Sequence, residues 1–465
     1  MTEFSIFPYQ EEGIQKELKM KRVLNGDSPG LGKTLQSITA IERAKATPCL
    51  VICPSALKVN WEREIRKFTN LRPLVLTDSV KSTFPYYIGD LNLYDVIIVN
   101  YESLRKYFVV TMGQKPYKLK NFVFQNVVYS LKSIIIDESA RVKDPSAQQS
   151  KIVMGLCNNK EYILELTGTP VVNDPADIGT QIAILGRMKE LFGSYGAFME
   201  RYGKGEHLCE LNKIITDSCY FRREKEEVLK DLPDLTRTTI ETEMDEVTQK
   251  EYDTCLIDLK KFLIEYKQLT DSEAKKKMRM KALIQFMNLR SISGRGKVEA
   301  AKQFLNDLGT SCVVFCEHKT IVQAIKHAFP DDSVTVTGND NLMMKQYAVD
   351  SFQSGKKRII ICSIKAAGVG LTLTKGSHEL FIELPWTFAD LDQCECRCRR
   401  IGQKSAVNSW IMMSKDSIDD RLYNLIMSKR SLASKITGST DAAFENESSF
   451  KEIMSLVTTD NNQNE

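Results

Sequence analysis

The sequence predicts an α/β protein with two lobes, each built on a parallel sheet with helices on both faces. Short aliphatic runs alternate with helical segments in both halves of the chain, the rhythm of parallel sheets. At 465 residues the chain is also too long for a single hydrophobic core. Between the halves the aliphatic runs thin out and long charged helical segments replace them. This change predicts a helical insertion between the two lobes.

The domain boundaries follow from the same changes in pattern. We predict a first lobe over residues 1–215 and a helical insertion with its linker over 216–300. The second lobe is predicted over 301–440. A tail over 441–465, rich in Asn, Ser, Thr and Glu, is expected to be polar and mobile.

The predicted elements can be given in chain order. In the first half, a short strand at Val23-Leu24 precedes four longer ones: Cys49–Cys53, Val96–Val99, Ile134–Ile136 and Ile163–Leu166. The middle section contains an extended linking strand and two helices: Thr236–Met244, Glu251–Gln268 and Asp271–Arg290. The strands of the second half are Cys312–Cys316, Val334–Val336, Arg358–Cys362, Leu380–Leu384 and Val407–Met413.

Composition narrows the class of protein. Hydrophobic residues make up 42% and charged residues 27% of the chain, as in soluble globular proteins. We see neither a signal peptide nor an apolar run of membrane-spanning length, and the cysteines fall mostly in predicted strands. We therefore expect an intracellular protein of the cytoplasm, nucleoid or nucleus, neither secreted nor membrane-bound. The net charge of only +4 means that any nucleic-acid surface must be local.

Residues 25–34 predict a phosphate-binding loop. Gly30 and Gly32 leave room for backbone N–H groups to face a phosphate, and Lys33 supplies a positive charge for the β- and γ-phosphates. The hydroxyl of Thr34 can bind Mg²⁺. A short predicted strand precedes the loop and helix-spaced aliphatic residues follow it, which is the strand–loop–helix context that the motif requires.

A second motif supplies carboxylates. Asp137 and Glu138 follow the aliphatic strand at 134–136, so they would lie at the carboxyl end of a parallel sheet, where ligands bind. Asp137 can hold Mg²⁺ through water, and Glu138 can position or deprotonate the attacking water. The alternative is an exposed acidic turn, which the upstream phosphate loop disfavours.

The second lobe carries no such loop and has a cluster of arginines instead. Arg397 and Arg400 lie three residues apart in a predicted helix and could stabilise charge on a γ-phosphate. The alternative, a solvated basic face that also includes Arg399, stays open from the residues alone. The spacing of Cys312, Cys316 and His318 is only faintly similar to a zinc site and is better explained by buried thiols.

With these motifs the chain resembles the Swi/Snf-type DNA translocases of superfamily-2 helicase-like ATPases, over roughly residues 4–430. Further matching segments are Phe7–Gln10 (glutamine motif), Ile52–Leu57 (motif Ia), Val99–Glu102 (Ib), Leu166–Pro170 (III), Arg222–Val228 (between the lobes), Ala367–Thr372 (V) and Gln393–Gln403 (VI). Their order, the Arg-Ile-Gly-Gln form of motif VI and the compact linker look closest to the annealing-helicase branch.

The resemblance implies two RecA-like P-loop NTPase lobes that use ATP and Mg²⁺. By its motifs, the nucleotide would be bound by Gln10, Asp27, Gly30, Gly32, Lys33, Thr34 and Gly370. Catalytic roles fall to Lys33, Glu138, Arg397 and Arg400, and Mg²⁺ would be held by Thr34 and, via water, Asp137. Thr167 and Thr169 of motif III would couple hydrolysis to movement.

The resemblance also implies a DNA partner. Candidate contacts to the duplex backbone are Ser55, Lys58, Asn100, Tyr101, Lys365 and Thr372. A basic run in the helical section adds Lys275, Lys276, Lys277, Arg279, Lys281, Arg290, Arg295 and Lys297, which an exposed helix face would equally explain. We expect a monomer that binds double-stranded or forked DNA without reading its sequence.

Three positions depart from the family pattern. Ala140 stands where motif II usually ends in His, Cys396 replaces a usual Asp, and Val172 replaces a usual Gln. The missing His predicts altered coupling between the ATP site and motif III, although the hydrolytic groups are retained.

The sequence therefore predicts an ATP-dependent translocase of double-stranded DNA. One alternative is a strand-separating helicase of DNA or RNA, disfavoured because no pin or wedge insertion is readable. The other is a nucleic-acid-binding scaffold with weak or no hydrolysis, for which Ala140 is the single encouragement.

Overall fold

The structure is a computed structural model that describes residues 6–89, 91–171, 175–230, 232–269, 272–367, 371–400 and 402–427, with Val457. The described chain forms two compact units that divide after Lys230. Gly370, Val172 and all of the predicted tail except Val457 lie outside the described residues.

The described residues of the first unit form nine strands. They are β1 Arg22–Asn25, β2 Cys49–Cys53, β3 Pro73–Val75, β4 Val96–Asn100, β5 Val109–Thr111, β6 Val123–Phe124, β7 Ser133–Asp137, β8 Tyr162–Leu166 and β9 Tyr220–Phe221. Seven of them form one sheet in the order β3-β4-β2-β7-β8-β1-β9, with parallel pairing throughout. The remaining two, β5 and β6, pair with each other as an antiparallel hairpin.

Helices cover both faces of this sheet. They are α1 Pro8–Met20, α2 Lys33–Arg43, α3 Lys58–Phe68, α4 Phe84–Gly89, α5 Leu104–Phe108, α6 Val127–Ser130, α7 Gln148–Cys157, α8 Pro175–Ile184, α9 Met188–Phe192, α10 Tyr195–Tyr202, α11 Leu208–Ser218 and α12 Lys225–Val228. One face packs against α1–α3 through a core that includes Ile14, Ile38 and Trp61. The opposite core includes Ile152 and Ile178, from α7 and α8.

In the part of the second unit that the structure describes, six strands form one parallel sheet. They are β10 Leu235–Thr242, β11 Cys312–Cys316, β12 Ser333–Val336, β13 Ile359–Ser363, β14 His378–Phe381 and β15 Val407–Ser414, in the order β10-β15-β14-β11-β13-β12. The helices are α13 Glu246–Gln268, α14 Ser272–Gly296, α15 Val298–Leu308, α16 Lys319–Ala328, α17 Leu342–Gln353, α18 Ile364–Ala367 and α19 Phe388–Glu395, followed by helical residues 419–427.

The predicted fold class of two α/β lobes with parallel sheets is confirmed. The central strands of the first sheet, such as β2 and β4, are buried along their whole length. Their continuous aliphatic composition reflects this, because helices shield both faces of a parallel sheet from water. The two long helices α13 and α14 pack on each other and share one core with the second sheet, through Tyr252 and Phe286.

Three local predictions need correction. The predicted strand 380–384 instead runs from His378 to Phe381. The extended segment after residue 235 is an edge strand of the second sheet, because β10 pairs with β15 along eight residues. The predicted helix of motif VI ends at Glu395. There the amides of Arg397 and Cys398 bond to carbonyls three residues back, which tightens the backbone into turns.

The domain boundaries at 215 and 300 stay predictions, although the first compact unit extends to Lys230 and takes in β9. Among the described helices, none combines the length and the apolar character needed to cross a bilayer.

Candidate active site

The phosphate loop connects the carboxyl end of β1 to the first turn of α2. Gly30 and Gly32 both have a positive φ, of 91° and 83°, a conformation that favours glycine. Gly32 also meets Gln10 closely, since a Cβ at 32 would lie 2.5 Å from the Gln10 amide nitrogen. The side-chain amide of Gln10, on α1, donates to the carbonyl of Leu31 at 3.2 Å and so fixes the position of the loop. The first N–H groups of α2 lack partners within the helix and can bind an anion.

Lys33 lies at the start of α2 and points back into the loop. Its ammonium donates to the carbonyl of Asp27 at 2.5 Å and to that of Ser28 at 3.4 Å. Burial lowers the pKa of the Lys33 ammonium, and the nearby carboxylates of Glu138 and Asp27 oppose that shift. The ammonium is thus held by main-chain oxygens between the loop and the motif II carboxylates, where a phosphate group could be bound.

The side chain of Asp27 points into the interior of the first unit. It is fully buried and forms an ion pair with Arg223, whose Nε lies 3.0 Å from the Asp27 Oδ1 atom. Gln36 donates to the same carboxylate at 3.2 Å. The prediction that Asp27 contacts the nucleotide is therefore corrected for its side chain. The carboxylate anchors the loop to the interior, and only its backbone remains available to a ligand.

Arg222 ties the phosphate loop to motif III. One nitrogen of its guanidinium donates to the carbonyl of Gly26 at 2.7 Å and to that of Gly168 at 2.6 Å. Glu224 orients Arg222 at 2.7 Å and also accepts a hydrogen bond of 2.5 Å from the hydroxyl of Ser28. The sequence analysis assigned no site role to Arg222 or Glu224. Its one signal was the match of 222–228 to a family segment.

Asp137 ends β7 and Glu138 follows it, at the same edge of the sheet as the phosphate loop. The indole N–H of Trp61 donates to Oδ2 of Asp137 at 2.8 Å. Burial raises the pKa of Asp137 and the neighbouring charge of Glu138 raises it further, while the Trp61 hydrogen bond and Lys33 lower it. Glu138 adopts a left-handed conformation with φ of 55°, which turns the chain sharply after the strand.

One predicted DNA contact, Tyr101, supports this turn, and a second, Asn100, bonds to a neighbouring side chain. Tyr101 is only 2% exposed, and its hydroxyl donates to the carbonyl of Asp137 at 2.6 Å. The prediction that Tyr101 contacts DNA is therefore wrong for its side chain, because a phosphate contact needs an accessible group. Asn100 is largely buried and donates to Glu102 at 2.8 Å.

Ser55 is exposed and Lys58 is half-buried, near the end of β2 beside β4. Both residues remain candidates for a contact to DNA.

Motifs II and III are joined by a hydrogen-bonded path through a residue that the sequence analysis missed. The hydroxyl of Ser139 donates to the side-chain oxygen of Gln181 at 2.8 Å. The amide nitrogen of Gln181 donates in turn to the carbonyl of Pro170 at 2.5 Å. Thr167 and Thr169 are buried in motif III, where the Thr167 hydroxyl accepts from the Thr169 amide at 3.1 Å.

The residues present fit a magnesium nucleotide. The loop is a cradle of small residues in which side chains at Gly30 or Gly32 would be strained. The hydroxyl of Thr34 and the carboxylate of Asp137 are hard oxygen donors of the kind that Mg²⁺ prefers. Lys33 adds the positive charge that a triphosphate requires.

In the second unit, motifs V and VI are bonded to each other. The guanidinium of Arg400 donates to the carbonyl of Leu371 and to the hydroxyl of Thr372, both at 3.0 Å. The carbonyl of Arg397, a largely buried residue, accepts from the amide of Leu373 at 2.9 Å. Lys365 is 82% exposed and 3.5 Å from Glu317. Gly370 lies in the undescribed loop between these motifs.

Part of the predicted basic run in the helical section is buried. Arg290 donates to the carbonyl of Leu384 at 2.5 Å and packs over Trp386, and Lys297 pairs with Asp419 at 2.7 Å inside the second unit. These two residues cannot form a DNA surface as they stand.

Among the described residues, no group of three His, Cys, Asp or Glu side chains is placed to hold a metal ion.

A glycine loop before a helix, a lysine at the start of that helix and carboxylates at the end of another strand of the same sheet define a nucleotide-binding α/β lobe of the P-loop class. The model of the SNF2-related domain matches residues 9–295, and that of the helicase conserved C-terminal domain matches residues 296–402. The chain belongs to the SNF2-related family, and the predicted resemblance to Swi/Snf-type ATPases is confirmed.

Similar proteins cover nearly the whole chain. The SWI/SNF-related matrix-associated actin-dependent regulator of chromatin subfamily A-like protein 1 homolog of Caenorhabditis elegans is 28% identical over 94% of the chain and 62% of its own length. The human DNA annealing helicase and endonuclease ZRANB3 is 28% identical over 94% of the chain and 40% of its own. The chain thus spans less than two thirds of these relatives. A solved SWI2/SNF2 ATPase core of Sulfolobus solfataricus in complex with dsDNA is 23% identical, with a TM-score of 0.43 and 97% of each chain covered.

Proposed function

We propose that this protein is an ATP-dependent motor that moves along double-stranded DNA and remodels DNA structures or DNA–protein complexes. The observation that carries the proposal is the placement of Lys33 between the phosphate loop and the motif II carboxylates, in a chain of the SNF2-related family. Repair, strand annealing and fork remodelling are outputs that such a motor could serve. The DNA partner is inferred from the family and from the names of the relatives.

Hydrolysis would use the side chains of the first unit. Lys33 would contact the β- and γ-phosphates, and Thr34 and Asp137 would hold Mg²⁺, which when bound neutralises phosphate charge. Glu138 would orient or deprotonate the attacking water. Gln10 would set the position of the loop, since its amide is already bonded to Leu31.

The arginines of motif VI would complete the charge stabilisation. Arg397 and Arg400 would donate to γ-phosphate oxygens as negative charge develops there, the role of arginine fingers. For Arg400 this requires exchange of its present bonds to Leu371 and Thr372. Such an exchange would connect the nucleotide state to motif V, where Gly370 is a further proposed contact.

Coupling between hydrolysis and movement would pass through motif III. Thr167 and Thr169 were predicted for this role, and the path from Ser139 through Gln181 to Pro170 supplies a direct bonded connection. We propose that this path serves in place of the His that the family usually has at the position of Ala140.

DNA would be gripped by its phosphates, without sequence readout. Ser55, Lys58, Lys365 and Thr372 are the proposed contacts that retain some exposure, and Asn100 would have to release Glu102 to join them. The proposed assembly state is a monomer acting inside the cell.

The decisive experiment measures ATP turnover with duplex, forked and single-stranded DNA and with RNA. We expect strong stimulation by duplex or forked DNA, little by RNA, and loss of turnover in Lys33→Ala and Glu138→Gln. Full stimulated turnover in Lys33→Ala would refute the phosphate-loop assignment. Background turnover at saturating DNA would favour a non-hydrolysing scaffold. Efficient release of a strand from a tailed duplex would favour a strand-separating helicase.

A further inference from the structure

The hairpin formed by β5 and β6 lies in a segment whose charged residues are all basic. From Ser103 to Ile136 the sequence contains six basic residues and no acidic one. These six exceed the net charge of the whole chain, which is +4. Three of them, Lys115, Lys118 and Lys120, lie in the loop that connects β5 to β6. We call residues 109–124 the basic hairpin.

The three lysines are not neutralised by the rest of the first unit. All are exposed, and within the described chain none of them takes part in an ion pair or a side-chain hydrogen bond. The nearest charged residue on the supporting helix α7 is also basic, since that helix carries Lys151 and no acidic residue. By contrast Lys106, just before the hairpin, is paired with Asp78.

The hairpin is held in place by aromatic packing. Phe122 is buried, and its ring lies 6.4 Å from that of Tyr117 and 6.2 Å from that of Phe124. Phe124 rests directly on Gly155 of α7, where a Cβ would come within 2.3 Å of the ring. The amide of Gln125 bonds to the carbonyl of Phe108 at 2.9 Å and closes the base. The lysines therefore project from a supported platform.

The position of the hairpin relates it to the proposed DNA contacts. Its first strand begins one turn of helix after motif Ib, through the short helix α5. Motif Ib begins at the end of β4, the neighbour of β2, and Ser55 and Lys58 lie in the helical segments that follow β2. Lysine ammonium groups on flexible stems suit the evenly spaced charges of a nucleic-acid backbone.

We propose that the basic hairpin is an additional binding surface for the phosphate backbone of duplex DNA, through Lys115, Lys118 and Lys120. The inference rests on the proposed function and adds a contact that the family motifs do not include. Exposed apolar groups on the same hairpin, Val110 and Val123, lie where sugar edges or the rim of a groove could cover them.

The test compares two triple variants with the same change in charge. One is Lys115→Gln/Lys118→Gln/Lys120→Gln. The control is Lys189→Gln/Lys204→Gln/Lys213→Gln, at exposed lysines of the same unit on α9, α11 and the segment between them. Duplex DNA binding is measured over a range of salt concentrations. Each lysine that contacts a phosphate should reduce the slope of log affinity against log salt by about 1.

We expect the hairpin variant to bind duplex more weakly with a shallower salt slope, and the control variant to match wild type. Equal slopes for both variants, with DNA binding and stimulation intact in wild type, would overturn this inference and leave the proposed function standing. Absence of duplex binding in wild type would overturn both. If the hairpin variant lost binding to polyglutamate but kept its binding to duplex, the surface would be assigned to an acidic protein, and the inference of a DNA contact would be overturned.

Two further measurements test the position of the hairpin, and the first of them leaves the lysines unchanged. Gly155→Leu should displace Phe124 and shift the hairpin without changing charge, and we expect it to weaken duplex binding while the unfolding transition is retained. A photo-crosslinking residue placed at exposed Leu119 should form adducts with duplex DNA. Adducts that persist at full yield in the triple hairpin variant would contradict a lysine-directed contact.

Discussion

The hydroxyl of Ser139 lies 2.8 Å from the side-chain oxygen of Gln181, and this hydrogen bond joins the residue after the motif II carboxylates to the loop of motif III. Gln181 is fully buried and donates onward to the carbonyl of Pro170. A short polar connection therefore exists although Ala140 has no polar side chain. Its two side chains can be altered singly and together, which makes the proposed coupling measurable.

Ser139→Ala and Gln181→Leu should each reduce the ratio of DNA-stimulated to unstimulated ATP turnover about fivefold or more, because each breaks the same path. The double variant should cost little beyond either single one, since residues that act through one bond are not additive. Steady-state turnover with and without duplex measures the ratio. Ser133→Ala is the control, because Ser133 is buried at the opposite end of β7 and bonds to Ala46. An unchanged ratio in both single variants would contradict the coupling role.

Arg223→Ala should destabilise the first unit by about 3–5 kcal/mol, because it leaves Asp27 as a buried charge without its partner. Denaturant unfolding of the full chain measures the change. The matched control is Arg43→Ala, since Arg43 and Glu11 form an exposed pair, for which we expect a loss of no more than about 1 kcal/mol. Similar losses for the two variants would show that Asp27 is stabilised by other groups.

Glu17 should make stability depend on pH. It lies fully buried under the phosphate loop, where Asn25 and Ser37 donate to it at 2.9 and 3.1 Å. Burial raises the pKa of Glu17 from 4.5 to about 8, although these two hydrogen bonds lower it. The folded state therefore keeps a proton that the unfolded state loses, so stability falls as pH rises from about 4.5 to about 8.

Glu17→Gln should remove this loss, because the amide stays neutral. The free energy of unfolding of the variant minus that of wild type should increase between about pH 5 and about pH 9. Glu12→Gln is the control, because a hydrogen bond from Lys16 lowers the pKa of exposed Glu12. Any change that this variant makes to the pH dependence of stability should therefore have the opposite sign. A wild-type stability that does not decline over this range would rule out a protonated Glu17.

Trp61→Phe should move the acid limb of ATP turnover to higher pH. The indole N–H at 2.8 Å lowers the pKa of Asp137, so removing it raises that pKa and leaves less carboxylate for the proposed Mg²⁺ contact. Turnover measured against Mg²⁺ concentration at several pH values tests this. The control is Trp410→Phe, which removes an indole hydrogen bond of 3.3 Å to His378 in the second unit. A shift of equal size in both variants would exclude a specific effect on Asp137.

The strands and the catalytic motifs were predictable because their signals are local. Aliphatic runs such as 49–53 and 134–136 are buried on both faces of a sheet, so composition alone reveals them. The phosphate loop is equally local, as its glycines, Lys33 and Thr34 are neighbours in sequence. Their roles follow from backbone geometry and charge over ten residues.

The rest of the site depends on contacts between distant segments. Arg222 and Arg223 bond to residues 196 positions earlier, and Ser139 to a residue 42 positions later, which no spacing rule indicates. Tyr101 was assigned to DNA because of its place in motif Ib, and the sequence does not show whether an aromatic side chain at that place is exposed or buried. The hairpin 109–124 was missed because its strands have three and two residues, too short for a period to be recognised.

The anchoring of the phosphate loop has a mechanical consequence. Gly26 and Ser28 accept or donate bonds to residues 221–224, and the first unit ends six residues after Glu224, at Lys230. A displacement of the loop beyond the range of hydrogen-bond distances would therefore either break these bonds or move the end of the first unit with it. We therefore expect the phosphate loop and the segment that leaves the first unit to move together. A conformational probe attached near residue 230 should then respond to the occupancy of the loop.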